Sequence, residues 1–116
     1  MPTHLQPGPR MSGAVIHHGT VYLSGQVDRT GTPSVAAQTS AVLAKIDALL
    51  AEAGTDKSHL LSAQIWLADI RTFDEMNPVW EAWIDAAHPP ARATVEARLA
   101  APTCLVEIMV VAALPD

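Results

Sequence analysis

PPARATVEARLAAPTCLVEIMVV, residues 89–111, is the stretch that decides the fold. If a turn lies at 100–103, a period of two divides the flanking residues into two unlike faces. One face is wholly apolar and consists of Ala93, Val95, Ala97, Leu99, Cys104, Val106, Ile108 and Val110. The other holds the charges and consists of Arg92, Thr94, Glu96, Arg98, Leu105, Glu107, Met109 and Val111. This pattern predicts an antiparallel hairpin that packs one face on a core, and it puts Arg92 and Glu107 on the same side of a rigid sheet.

The size and composition of the chain are those of one globular domain. Its 116 residues provide one modest core, so we expect a single domain over 1–116 with an irregular N-terminal arm at 1–12. A net charge of −5 without a basic stripe argues against nucleic acid as a partner. The single cysteine, Cys104, excludes an internal disulfide and predicts a reducing, cytoplasmic location. No stretch has the length of a signal peptide's apolar segment or of a membrane span.

Strands and helices alternate along the rest of the chain. Two short strands are expected at 14–18 and 21–24, with the turn at Gly19–Thr20. Thr32 followed by Pro33 predicts the start of a helix that ends near Ala53, because Gly54 is suited to the C′ position. A third strand is expected at 61–67, with Leu61 on its inner face.

A second helix is expected from about Asp74 to Ala87, although Asn77–Pro78 could itself be its N-cap and first turn. The simplest packing is one mixed sheet with both helices on its apolar face. The opposite face would then hold four large apolar side chains, so we expect it to be buried by self-association. These side chains are Trp66, Leu105, Met109 and Val111.

Few residues are candidates for chemistry. There is no phosphate-binding glycine motif, no GxSxG and no histidine or cysteine spacing suited to a metal. His17 and His18 are adjacent, so on a strand they point to opposite faces and cannot chelate together. Cys104 falls on the apolar face and is predicted to be an inert core thiol.

Arg92 and Glu107 are the remaining charged candidates, and two interpretations of them stay open. In the first, Glu107 pairs with Arg98 across the hairpin and Arg92 is a solvated or interface charge. In the second, Arg92 and Glu107 are about 13 Å apart along the ladder, too far to neutralise each other. A small molecule carrying a carboxylate would then occupy the gap.

At these residues the chain resembles the Rid family, also called YjgF, whose best-known members are 2-imino acid deaminases. The resemblance begins with Pro90-Ala91-Arg92-Ala93-Thr94-Val95 and with Glu107-Ile108, fifteen residues after the arginine. It extends over nearly the whole chain through Gly8-Pro9, Ser24-Gly25-Gln26, Gln38, Ala53-Gly54, Asp69, Phe73, Met76-Asn77 and Trp80. Each fragment is weak alone, and their order and spacing together are specific.

The resemblance implies an α/β (α+β) subunit of the chorismate-mutase-like, bacillus type, with a mixed sheet and two helices on one face. Three such subunits would form a homotrimer around a central β-barrel, with clefts between neighbours. Arg92 would clamp the substrate carboxylate and Glu107 would position or deprotonate water. Ser24, Gly25, Asn77 and Thr94 would line the cleft. The expected reaction is hydrolysis of a 2-imino acid such as 2-iminopropanoate or 2-iminobutanoate, and it requires neither a metal nor an organic cofactor.

The sequence departs from the family pattern at three places that border the expected cleft. Arg10 follows Gly8-Pro9 where the deaminases commonly have tyrosine, Thr94 replaces a common cysteine, and the loop at 27–33 is short. A second hypothesis is therefore a non-catalytic trimer that binds 2-oxo or related acids through Arg92 and reports their level. A third, the ribonuclease activity attributed to some members, is disfavoured by the acidic charge.

Overall fold

The computed structural model describes all 116 residues and contains one six-stranded mixed sheet with two α-helices. The strands are β1 (Thr3–Leu5), β2 (Ala14–His17), β3 (Thr20–Leu23), β4 (Leu60–Leu67), β5 (Ala91–Glu96) and β6 (Val106–Ala113). The helices are α1 (Val35–Ala53) and α2 (Phe73–Trp83), and short 3₁₀ turns lie at Lys57–His59 and Ile70–Thr72. The strand order is β1-β2-β3-β6-β4-β5, with only β4 and β5 parallel.

The predicted hairpin between β5 and β6 is wrong, because β4 lies between these two strands. Each strand does alternate with a period of two, and the apolar face of β6 is buried as predicted. The prediction put the wrong residues of β5 and β6 on the same face: the even-numbered residues of both strands, including Arg92 and Ile108, share the helix side. Residues 97–105 form a connection long enough to carry β6 past β4, so no tight turn fixes the register. Val95 consequently leaves the core side and is 50% exposed.

The predicted C-terminal end of helix α1 is confirmed, whereas its N-terminal start differs from the prediction. Gly54 terminates it in the left-handed conformation at φ 91°, as its position predicted. The N-cap is Ser34 and not Thr32: the Ser34 hydroxyl accepts a hydrogen bond of 3.1 Å from the Ala37 N–H. Proline at 33 therefore precedes the cap instead of following it.

Helix α2 begins one residue before the predicted Asp74 and runs through Pro78, so the alternative start at Asn77–Pro78 is wrong. It ends at Trp83, four residues before the predicted Ala87, because Ile84 adopts an extended conformation. The following residues form a turn instead of another helical turn.

The first three strands are a meander at one side of the sheet. β1 pairs antiparallel with β2, so the N-terminal arm is not irregular at residues 3–5. The turn between β2 and β3 lies at His18–Gly19, both with positive φ, one residue before the predicted position. In β4 a bulge near Leu60 leaves Leu61 half-exposed, contrary to the prediction that it faces inward.

Both helices cover one face of the sheet, in two layers with a smallest overall dimension of 19 Å. The core consists mainly of aliphatic side chains from α1 and from β3, β4 and β6. Gln38 ties the layers together, since its amide donates to the carbonyls of Thr32 and Thr103 and accepts from the Leu105 N–H, all within 2.9 Å. No helix has the length and apolar character needed to cross a membrane.

Candidate active site

The Arg92 side chain packs against three residues on one face of helix α2. Phe73, Asn77 and Trp80 are spaced so that they share a face of the helix. Arg92 Nη1 donates a hydrogen bond of 2.8 Å to Asn77 Oδ1. Its guanidinium carbon lies 5.7 Å from the Phe73 ring centroid and 5.6 Å from that of Trp80, within cation–π range. We call these four residues the acid clamp.

The charge on Arg92 has no anionic partner in the chain. The ion pairs present join Asp56 to His59, Asp69 to Arg71 and Asp85 to His88. Burial lowers the pKa of Arg92, and the charge of Glu81 partly opposes that effect. A guanidinium has five N–H donors and stays protonated, so Arg92 retains donors for a carboxylate.

Thr94 shares the helix-side face of β5 with Arg92. Its register partner on β4 is the fully buried Ile65, and that of Arg92 is the buried Ala63. Thr94 Oγ1 is buried and has no hydrogen-bond partner. A hydroxyl in this condition is costly unless something else satisfies it.

Glu107 lies on β6 against the backbone of Gly25. Gln26 and Ile108 exchange two backbone hydrogen bonds of 2.9 and 3.1 Å, which bring Gly25 beside Glu107. A Cβ at position 25 would overlap the Glu107 carboxylate oxygen and lie 3.0 Å from its Cδ, so only glycine permits this approach. The neighbouring Ser24 hydroxyl donates 3.2 Å to the Gly13 carbonyl.

Arg92 and Glu107 lie on opposite faces of the sheet, contrary to the prediction. Glu107 is in register with Trp66 on the face opposite the helices, which we call the outer face, whereas Arg92 is in register with Ala63 on the helix side. The ion pair between Glu107 and Arg98, one part of the competing interpretation, is absent. Its other part, that Arg92 is a solvated or interface charge, stays a prediction. The structure thus brings Arg92, Asn77 and Thr94 together on one side and Gly25 and Glu107 on the other.

A family model described as endoribonuclease L-PSP matches residues 2–114. The chain belongs to the endoribonuclease L-PSP family. Two relatives are a RutC family protein of Haemophilus influenzae, 45% identical over 91% of this chain and 92% of the relative, and the RutC family protein YoaB of Escherichia coli, 44% identical over 90% of each. The crystal structure of NMB1025 of Neisseria meningitidis, a member of the YjgF protein family, aligns with a TM-score of 0.97 at 46% identity, covering 100% of this chain and 97% of that one. The resemblance to the YjgF family is therefore confirmed.

Two residues of the acid clamp in this L-PSP family member, Phe73 and Trp80, were not assigned a role from the sequence. Phe73 and Trp80 were noted only as part of the family pattern, and they prove to be the aromatic walls of the acid clamp. Their spacing from Asn77 was the available signal, since the three fall on one helical face.

The histidines and the cysteine lie apart from the acid clamp. No group of three or more histidine, cysteine, aspartate or glutamate side chains could hold a metal ion. The prediction that His17 and His18 point to opposite faces is wrong: His18 lies in the turn after β2 with φ 49°, and the centroids of the two rings are 3.9 Å apart. Cys104 is buried, as its place on the apolar face predicted.

Proposed function

We propose that this protein hydrolyses reactive 2-imino acids to 2-oxo acids and ammonia, with Arg92 holding the substrate carboxylate. The observation that carries this proposal is the acid clamp. Arg92 is half-buried, forms no ion pair, is hydrogen-bonded to Asn77 and lies within cation–π distance of two aromatic rings. A preorganised guanidinium binds a carboxylate through two parallel hydrogen bonds and loses little entropy on doing so.

Glu107 completes the proposed site from a neighbouring subunit. One chain cannot supply both groups to one substrate, because they lie on opposite faces of its sheet. We therefore place the site in a cleft between subunits of a homotrimer. The exposed apolar side chains of the outer face support self-association, since Tyr22 and Val95 are each 50% exposed beside Trp66, Met109 and Val111.

The chemistry follows from the two groups. Water attacks C2 of the protonated imine while the Glu107 carboxylate accepts one of its protons, which forms a C–O bond and leaves an amino alcohol. Glu107 passes this proton to the nitrogen. The C–N bond then breaks while the C2–OH bond becomes C=O and gives its proton to Glu107, and ammonia leaves with that proton as ammonium beside the 2-oxo acid. Arg92 holds the carboxylate throughout, so that C2 faces the attacking water. Ser24, Gly25, Asn77 and Thr94 are proposed to line the cleft.

An imine-trapping assay tests this proposal. A threonine dehydratase generates 2-iminobutanoate, semicarbazide traps it, and the protein should suppress trapping. Arg92→Ala should reduce suppression by at least about 100-fold, because carboxylate positioning is lost. Arg98→Ala is the matched control, since Arg98 is exposed and unpaired, and it should retain activity. No suppression by the unmodified protein would contradict the proposal.

A non-catalytic acid sensor is the second candidate. The separation of Arg92 and Glu107 on opposite faces of the sheet favours it. The acid clamp is complete within one chain, whereas Glu107 is not part of it. A sensor would bind 2-oxobutanoate saturably without suppressing trapping.

Because the matching family is described as endoribonuclease L-PSP, the same preparation should be incubated with single-stranded RNA. The net charge of −5 predicts no cleavage.

A further inference from the structure

A groove between helices α1 and α2 shares no residue with the acid clamp and takes no part in the proposed reaction. Its volume of about 600 Å³ lies within the range of small-molecule sites. Because both helices cover the sheet face opposite the outer face, the groove stays accessible when the outer face is buried by self-association. Its apolar lining comes from both helices and consists of Leu43, Ala44, Val79, Ala82 and Trp83.

Two opposite charges flank Trp83 at one end of this groove. Trp83 Nε1 donates a hydrogen bond of 3.0 Å to Asp47 Oδ2. Lys57 Nζ lies 5.4 Å from the Trp83 ring centroid, within cation–π range. Asp47 and Lys57 nevertheless take part in none of the ion pairs of the chain. A carboxylate has two oxygens and an ammonium has three N–H donors, so both groups can bind a further partner.

The lining extends from this charged end along one face of α1. That face contributes four residues with the spacing of helical neighbours, namely Ser40, Leu43, Ala44 and Asp47. Seven residues separate the first from the last, which corresponds to about 10 Å along the helix axis. The short side chains of Ala44 on α1 and Ala82 on α2 are exposed and leave room between the helices. A ligand that matches this groove has both charges at one end and a short apolar body.

We propose that the α1–α2 groove binds an α-amino acid with an apolar side chain, whose ammonium pairs with Asp47 and whose carboxylate pairs with Lys57. An acid or an amine of the same shape would leave one of the two protein charges without a partner, whereas a zwitterion satisfies both. An α-amino acid also holds its two charges on one carbon, as the position of Asp47 and Lys57 around one indole requires. The ligand side chain would then lie along Leu43 and Val79. This site does not depend on the proposed hydrolysis.

NMR titration of the isotope-labelled full chain with L-leucine tests this inference. The Trp83 indole N–H signal, identified by its loss in Trp83→Phe, should move and saturate, whereas that of Trp66 on the outer face should stay in place. Three compounds that each lack one part of leucine should bind at least about fivefold more weakly. They are 4-methylpentanoate without the ammonium, 3-methylbutylamine without the carboxylate, and glycine without the apolar side chain.

Two variants that each remove one charge should change these preferences selectively. Asp47→Asn should abolish the preference for L-leucine over 4-methylpentanoate, and Lys57→Met should abolish the preference over 3-methylbutylamine. Each variant should keep the other preference. Asp74→Asn is the matched control, because Asp74 is an exposed carboxylate of α2 that does not line the groove, and it should change neither. Arg92→Ala should also retain both preferences, since Arg92 is not part of the lining.

Three outcomes would overturn the inference. The first is a Trp83 signal that shows no saturable shift up to the solubility limit of L-leucine. The second is equal weakening of all ligands by Asp47→Asn or Lys57→Met, which would give these residues a merely structural role. The third is loss of leucine binding in Arg92→Ala with binding retained in Lys57→Met, which would place the amino acid in the acid clamp. The trapping assay does not measure this site, so a failure of the proposed function is distinguishable from a failure of this inference.

Discussion

At the scale of single residues, the missing side chain at Gly25 decides where the Glu107 carboxylate lies on the outer face. The Glu107 carboxylate approaches the backbone of β6's neighbour Gly25, where residue 25 has no side chain. The glycine therefore serves a steric purpose: it gives the carboxylate a fixed place beside a rigid strand. The Arg92 guanidinium is fixed by contacts of a different kind, an amide and two rings.

If Glu107 is the general base proposed above, Gly25→Ala should lower the proposed imine deaminase activity by about 100-fold, within the range for a displaced general base. The new methyl group would push the Glu107 carboxylate aside, and the chain should still fold, because the displaced atoms are the flexible end of a side chain. Gly8→Ala is the control, since a Cβ there meets only the Met11 carbonyl at 3.4 Å. The comparison uses the trapping assay with thermal unfolding measured in parallel. Full activity in Gly25→Ala would remove Glu107 from the mechanism.

At the scale of elements, local signals in the sequence identified most of the fold. The turn chemistry at Gly54 and the alternation within β6 depend on neighbouring residues alone, so both were predictable. The relation of β5 to β6 was not, because it depends on β4, which is distant in sequence. The position of Arg92 against α2 follows from that pairing and was missed for the same reason.

Beyond α2, a turn held by Asp85 makes stability depend on pH. His88 Nδ1 donates 3.0 Å to Asp85 Oδ2, and Ser58 and the Ala87 N–H also hydrogen-bond this carboxylate. Together they lower the pKa of Asp85 from 3.8 to about 2. Because the folded pKa is the lower one, the unfolded chain binds the proton first as the pH falls. The stabilising contribution is complete above pH 3.8 and is lost towards about pH 2.

Asp85→Asn should therefore lower the urea midpoint at pH 7, and the difference from the unmodified protein should shrink between about pH 4 and pH 2. Urea titrations at a series of pH values measure this difference. His88→Ala is the companion variant, because it removes the largest cause of the pKa shift and should move the transition towards pH 3.8. A difference that stays constant down to pH 2 would disprove the role of Asp85.

For the whole molecule, the two faces of the sheet have separate tasks. The helix face packs the core, whereas the outer face exposes large apolar side chains around a concavity of about 410 Å³. Gln64, Met109 and Val111 line this concavity in part, together with Arg92 of the edge strand. The sheet carries Arg92 on one face and Glu107 on the other. Closed symmetry is the simplest way to bring opposite sides of identical chains to one cleft.

Subunit mixing tests this arrangement directly. Arg92→Ala and Glu107→Gln should each be inactive alone, yet oligomers assembled from equal amounts of both should recover activity. Every hybrid trimer contains an intact Arg92 opposite an intact Glu107 in one of its three sites, so the purified hybrids should recover about a third of the unmodified rate. The variants carry different affinity tags, and tandem purification isolates the hybrids before the trapping assay. Light scattering should give three times the 12.3 kDa of one chain for each preparation. If both groups acted within one chain, no hybrid site would contain the pair and mixing would recover nothing.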